Sequence, residues 1–222
     1  MSTIKCRLAV LVIVVAAAMP ASAGTLTLVN SRALLSPTDS FEWSDLGSDL
    51  TDLGATFSAT SVTGALTATV SGAPRFALFS GATFNADFLP GDTVVSLFDL
   101  TSGDPTSGVI RLLFNHAVIG GGAQIQSNFQ GNFTASIAAL DAGGNVMGAP
   151  LSIFGANGLN GDGSAPFLGL RSDAQDIFGL EFSLADGFAI NDVSVAAVPE
   201  PATLTLLLLG SGLMRLRRRA RQ

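Results

Sequence analysis

Phe178-Gly179-Leu180-Glu181-Phe182-Ser183-Leu184 sets a large apolar side chain at every second position. Alternation of period 2 marks a strand with one face on a core and the other in water. The pattern recurs outward from this stretch. Phe133, Ala135, Ile137 and Ala139 alternate with Thr134 and Ser136, and Leu66, Ala68 and Val70 alternate with Thr67 and Thr69. Val94-Val95-Ser96-Leu97-Phe98 and Val109-Ile110-Arg111-Leu112-Leu113-Phe114 are denser in apolar residues and read as more deeply buried strands. Phe188 and Ile190 are in one phase, Val193 and Val195 in the other, so a bulge or kink is expected at Asn191-Asp192. Asp141-Ala142-Gly143-Gly144-Asn145 predicts a hairpin loop. Gly103-Asp104-Pro105, Gly120-Gly121-Gly122 and Asn160-Gly161-Asp162-Gly163 read as further joins. About ten strands at this spacing predict an all-β fold, a single β-sandwich of jelly-roll-like type. Helix is expected only as one short turn within residues 41–53.

Composition narrows the function classes. Of the 222 residues, 13% are charged, about half the ~25% of an average domain. Fifteen phenylalanines and no tyrosine leave the core to phenylalanine. From Gly24 to Val198 there are four arginines and sixteen acids, a net charge of −12. That surface repels phosphate, which excludes nucleic acid and argues against docking on anionic headgroups. Cys6 is the only cysteine and precedes the apolar run, so it is not a lipidation site. Residues 24–198 hold no thiol and one histidine, His116, which nearly excludes zinc and copper.

Both ends carry an address. Lys5 and Arg7 precede an apolar run from Leu8 to Met19, Pro20 stops it, and Ala21-Ser22-Ala23 supplies a small-x-small box. Residues 1–23 therefore read as a secretory signal helix, cut by signal peptidase between Ala23 and Gly24. Residues 199–222 have three parts in order: Pro199-Glu200-Pro201, an apolar segment from Ala202 to Met214, and Arg215, Arg217, Arg218, Arg219 and Arg221. Each arginine costs roughly 2.5–3.5 kcal/mol at a bilayer centre, so the cluster stops transfer. The helix from Ala202 to Leu216 would span ~22 Å against a ~30 Å hydrocarbon core. Such a short transmembrane helix suits transient insertion in the inner membrane rather than permanent anchoring.

This tail resembles a PEP-CTERM sorting signal. The likeness rests on Pro199-Glu200-Pro201, Ala202-Thr203-Leu204, the leucine-rich segment, Gly210, Gly212 and the arginine cluster. It implies a Gram-negative exosortase as partner, processing near Pro199-Glu200-Pro201, and release or attachment at the outer cell surface. It also implies a cell that makes an extracellular polymeric matrix. The cations of both termini fall on one side, so the β-rich residues 24–198 belong in the periplasm or beyond.

The folded portion offers few chemical candidates. Trp43 is the only tryptophan and the candidate sugar contact. Asn157, Asn160 and Asp162 are candidate oxygen donors for calcium, although the loop fails the EF-hand pattern. No other cofactor is expected. Glu42 and Glu181 are the only glutamates of the folded portion, and a glycosidase would need two carboxyls about 5–9.5 Å apart across a cleft. Glu181 falls on the polar face of its strand. His116 has no nucleophile elbow to serve. The expectation is a non-enzymatic exported protein of the surface or of a polysaccharide matrix. The alternatives are a carbohydrate-binding module for matrix polysaccharide and a carboxylate-dependent hydrolase.

Overall fold

The computed structural model describes residues 24–84 and 86–197. The signal helix and the sorting tail, with Ala21, Ala23, Pro199, Glu200, Pro201 and the five C-terminal arginines, lie outside the described residues. In chain order the strands are β1 (Leu26–Val29), β2 (Asp39–Phe41), β3 (Asp52–Gly54), β4 (Phe57–Thr60), β5 (Thr67–Ser71), β6 (Phe76–Ser80), β7 (Thr93–Asp99) and β8 (Asp104–Pro105). They continue as β9 (Val109–Val118), β10 (Gly120–Ser127), β11 (Gly131–Leu140), β12 (Val146–Asn157), β13 (Phe167–Ser172), β14 (Ile177–Leu184), β15 (Phe188–Ile190) and β16 (Val193–Ala196). Helical structure among the described residues is one turn, α1 (Arg32–Leu35), and a 3-10 turn at Ser44–Leu46.

Two antiparallel sheets result. The first runs β1-β13-β10-β15-β7-β6-β3, with β16 bridging β10 to β2 and β8 beside β7. The second runs β12-β11-β14-β9-β5-β4. From β7 to β15 the chain passes repeatedly between sheets. It sets β7-β15-β10-β13 in the first and β9-β14-β11-β12 in the second. Inward side chains of both sheets merge into one core. Val95, Leu97, Ile125 and Leu168 of the first and Ile110, Leu112, Ile137 and Phe182 of the second are fully buried. Phe41 of β2 stacks on Phe114 of β9 at 5.6 Å, and Phe57 of β4 meets Phe76 of β6 edge-on at 5.6 Å. Such aromatic pairs add about 0.5–1.5 kcal/mol each beyond the area they bury.

The alternating stretches fold as their pattern requires. Phe133, Ala135, Ile137 and Ala139 are buried in β11, and Leu66, Ala68 and Val70 are buried around β5. The expected hairpin joins β11 to β12, with Asp141 Oδ1 accepting the N–H groups of Gly143 and Asn145 at 2.8 Å each. At Asn191-Asp192 the chain breaks into β15 and β16. Both pair with β10, one at Ile125–Ser127 and the other at Gly120–Gly122.

Local pattern fails in three places. Gly120-Gly121-Gly122 is no join but the start of β10, between β13 and β16. A β-carbon on Gly122 would sit 2.5 Å from Gly169 Cα, and one on Gly121 would sit 2.8 Å from Leu180 Cδ1. These glycines are there because neighbours press on the strand, not because the chain turns. Val109–Phe114 is not buried on both faces: Ile110, Leu112 and Phe114 point inward, and Arg111 and Leu113 are half-buried. Phe178 leaves the inward series of β14, because the register against β9 shifts between Ile177 and Gly179. That irregularity buries Ile177 and leaves Phe178 half-buried.

Candidate functional site

A cleft of about 380 Å³ opens where the β10–β11 and β14–β15 loops meet the start of β11. Its two loops are tied together, Asn128 N–H donating to Gly187 O at 2.9 Å. Ser127 Oγ fixes the turn by accepting from Phe129 N–H at 3.0 Å. The lining combines one exposed aromatic, Phe129, with Gln130, Asn132, Thr134 and Asp186. Thr134 faces Phe154 across the β11–β12 pair, and Phe154 is 70% exposed on the outer face of the second sheet. An exposed apolar ring beside amide, hydroxyl and carboxylate groups offers a platform for an apolar ligand face and partners for its hydroxyls.

The residues singled out by sequence lie elsewhere. Trp43 is fully buried, which removes it as a sugar contact. Its indole meets Phe57 edge-on at 6.3 Å, and its Nε1–H donates to Asn191 O at 2.9 Å. A buried indole needs a partner for its N–H, and the kink between β15 and β16 supplies it. The candidate calcium donors have other work. Asn157 is buried, donating to Ser127 O at 2.9 Å and accepting from Leu159 N–H at 3.0 Å. Asn160 is held through its own N–H, and Asp162 Oδ1 accepts from Ser164 N–H at 3.0 Å. Among the described residues no three His, Cys, Asp or Glu side chains gather as a metal site. The loop is instead organised by Asp87, which composition and spacing did not reveal. Its buried carboxylate accepts from Asn160 N–H at 2.6 Å, Gly158 N–H at 2.7 Å and Gln126 Nε2 at 3.0 Å.

The two glutamates are held by different sheets. Glu181 lies on the outer face of β14, ion-paired with Arg111 of β9. Glu42 is exposed just after β2 in the first sheet. His116 is exposed near the end of β9.

Beneath Trp43 lies one perturbed acid. Burial pushes the Asp192 carboxyl up to about 6, opposed by the Trp43 N–H and Arg32 and reinforced by Glu42. The folded value lies above the ordinary 3.8, so the folded state takes up the proton first as pH falls. Well above pH 6 both states are ionised and the folded one bears the cost of a partly buried charge. That cost disappears between about pH 6 and pH 4. Asp192→Asn is therefore expected to raise the melting temperature at pH 8 and to leave it unchanged at pH 3.5. Thermal melts at the two pH values check this, and an equal change at both would contradict it.

The fold and cleft define an antiparallel β-sandwich protein with a polar pocket at one end. Residues 197–221 match the PEP-CTERM protein-sorting motif. The chain thus carries a PEP-CTERM sorting motif at its tail, a motif that indicates export and sorting toward the cell surface. No curated protein matches it. Among solved structures it is similar to CsCBM6-3 from Clostridium stercorarium in complex with cellobiose, at 12% identity and a TM-score of 0.32, covering 68% of this chain and 98% of that one. It is also similar to the enzymatically active domain of tailspike protein 4 from bacteriophage CBA120, at 16% identity and a TM-score of 0.32, covering 60% of this chain and 19% of that one. The C-terminal family 22 carbohydrate-binding module of Clostridium thermocellum Xyn10B aligns at 13% identity with a TM-score of 0.15, covering 74% of this chain and 96% of that one.

Proposed function

We propose that this is a non-enzymatic component of the cell surface or extracellular matrix, delivered as a jelly-roll-like domain and processed at its tail. The observation that carries the reading is the sorting motif, which begins at residue 197, directly after β16 ends at Ala196. The strand orders β7-β15-β10-β13 and β9-β14-β11-β12 follow the two Greek keys of a jelly roll. Signal peptidase removes residues 1–23, and exosortase acts near Pro199-Glu200-Pro201 while the apolar segment sits in the inner membrane. The test is fractionation of the full chain in an exosortase-bearing host, comparing the natural sequence with one lacking Pro199-Glu200-Pro201. The natural chain should appear outside the inner membrane in shortened form, and the deletion should strand it uncut. Equal processing of both would sink the proposal.

A second reading has a specific support in Phe129 and Phe154. In it the end cleft holds matrix polysaccharide, with the rings stacking on sugar and Gln130, Asn132 and Asp186 bonding hydroxyls. Phe129→Ala and Phe154→Ala should each weaken retention on a matrix-polysaccharide gel roughly 2- to 10-fold, the worth of an aromatic contact, with melting unchanged. No retention of the natural protein on any matrix sugar would remove this reading.

A further inference from the structure

We propose that cutting the Ala23–Gly24 bond creates a structural ion pair, in which the new α-ammonium of Gly24 is seated on the carboxylate of Asp176. The proposal rests on the reading of residues 1–23 as a cleaved signal segment. Gly24 N already donates to Asp176 Oδ2 at 2.6 Å, and Thr25 N–H donates to Asp173 Oδ1 at 2.8 Å. The placement follows from β1, whose first residue Leu26 pairs with Ser172 at the end of β13. The chain start is therefore carried to the β13–β14 loop, more than 140 residues away in sequence.

One further observation points to a charged occupant. Asp176 Oδ1 is buried and has no hydrogen-bond partner among the described residues. A backbone amide has one N–H, and Oδ2 receives it. An α-ammonium has three, enough to serve both carboxylate oxygens with charge-assisted bonds. The position is also shaped for glycine, since a β-carbon on Gly24 would overlap Ser172 Oγ and lie 2.8 Å from Asp173 Oδ1.

The chemistry balances without a cofactor. Water adds across the Ala23–Gly24 amide and the C–N bond breaks. Ala23 leaves as a carboxylate and the Gly24 nitrogen takes the proton to become an ammonium. The ordinary α-amino pKa of about 7.7–8.0 keeps it charged at neutral pH. Removal of the signal segment thereby tightens the first sheet at β1 once the domain has left the cytoplasm.

The sequence provides a selective probe. Lysine occurs once, at Lys5, so the mature chain has its α-amine as its only primary amine. The full chain is exported, the signal-cleaved product is purified, and its intact mass is read. The mature protein and its Asp176→Asn variant are then treated with an amine-reactive acetyl ester, in native buffer and in urea. A mass starting at Gly24 is expected, with native labelling at least about 10-fold slower in the natural protein than in the variant and equal rates in urea. Acetylation should lower the melting temperature of the natural protein and leave that of the variant unchanged. Should the variant not fold, acetylation of the natural protein is read by itself, its melting temperature expected to fall. A mature start elsewhere would overturn the signal reading and the site with it. A start at Gly24 with no difference in labelling, or with melting indifferent to acetylation, would overturn the ion pair alone.

Discussion

Trp43→Ala is expected to lower unfolding free energy by about 3–5 kcal/mol, the usual cost of emptying a buried aromatic site. The indole is fully buried, packs edge-on against Phe57, and satisfies Asn191 O with its N–H. Phe57 in turn meets Phe76, so the cavity would open in the aromatic chain that bridges the two sheets. For a domain of this size the loss corresponds to roughly 6–20 °C in melting temperature. It would consume a large part of a typical stability of about 5–15 kcal/mol. The measurement is a thermal melt together with retention on a polysaccharide gel. If Trp43 were a sugar contact, melting would hold and retention would fall. A melting temperature within about 2 °C of the natural protein would refute its place in the core.

Asp87→Ala is expected to cost about as much for a different reason. Truncation leaves Gly158 N–H, Asn160 N–H and one of the two Gln126 Nε2 hydrogens without an acceptor, while Gln126 keeps its bond to Ala156 O. The Gln126 donor is buried and the two backbone donors are part-buried, so the latter fall toward the low end of the range, about 1–3 kcal/mol, that an orphaned buried donor costs. Together they should free the segment from Gly158 to Ala165 and destabilise the domain by roughly 3–5 kcal/mol. Hydrogen exchange at Gly158 and Asn160 reports the local loss, and a thermal melt reports the global one. The same melt separates the carboxylate from calcium as organiser of the loop. With Asp87 in charge, the natural protein should melt at one temperature in EDTA and in calcium. A clear rise with calcium would return Asn157, Asn160 and Asp162 to the role of ligands.

How much could be read in advance depends on the range of each interaction. Alternation in Phe133–Ala139 is visible because the pleat repeats every two residues, whatever the rest of the chain does. The same pattern could have identified Phe154, since Leu151 and Ile153 claim the partly buried phase of β12 and leave Phe154 outside. Phe129 carried a weaker signal, an apolar residue within the polar turn Ser127–Gly131. Asp87 and Asp176 carried none, because their partners lie 39 to 152 residues away. Composition treats such acids as surface charge.

The amino-acid sequence by itself determined that the chain is β-rich, that its body is strongly acidic, and that its tail carries a sorting motif. Those properties live in short runs, where hydrophobic period and charge order act locally. Only the tertiary structure decided that the lone tryptophan is core, that three consecutive glycines are a strand and not a turn, and that two phenylalanines stay outside. Packing two sheets face to face brings distant residues within contact, and a residue's role there depends on what the opposite sheet and the adjoining loops place against it.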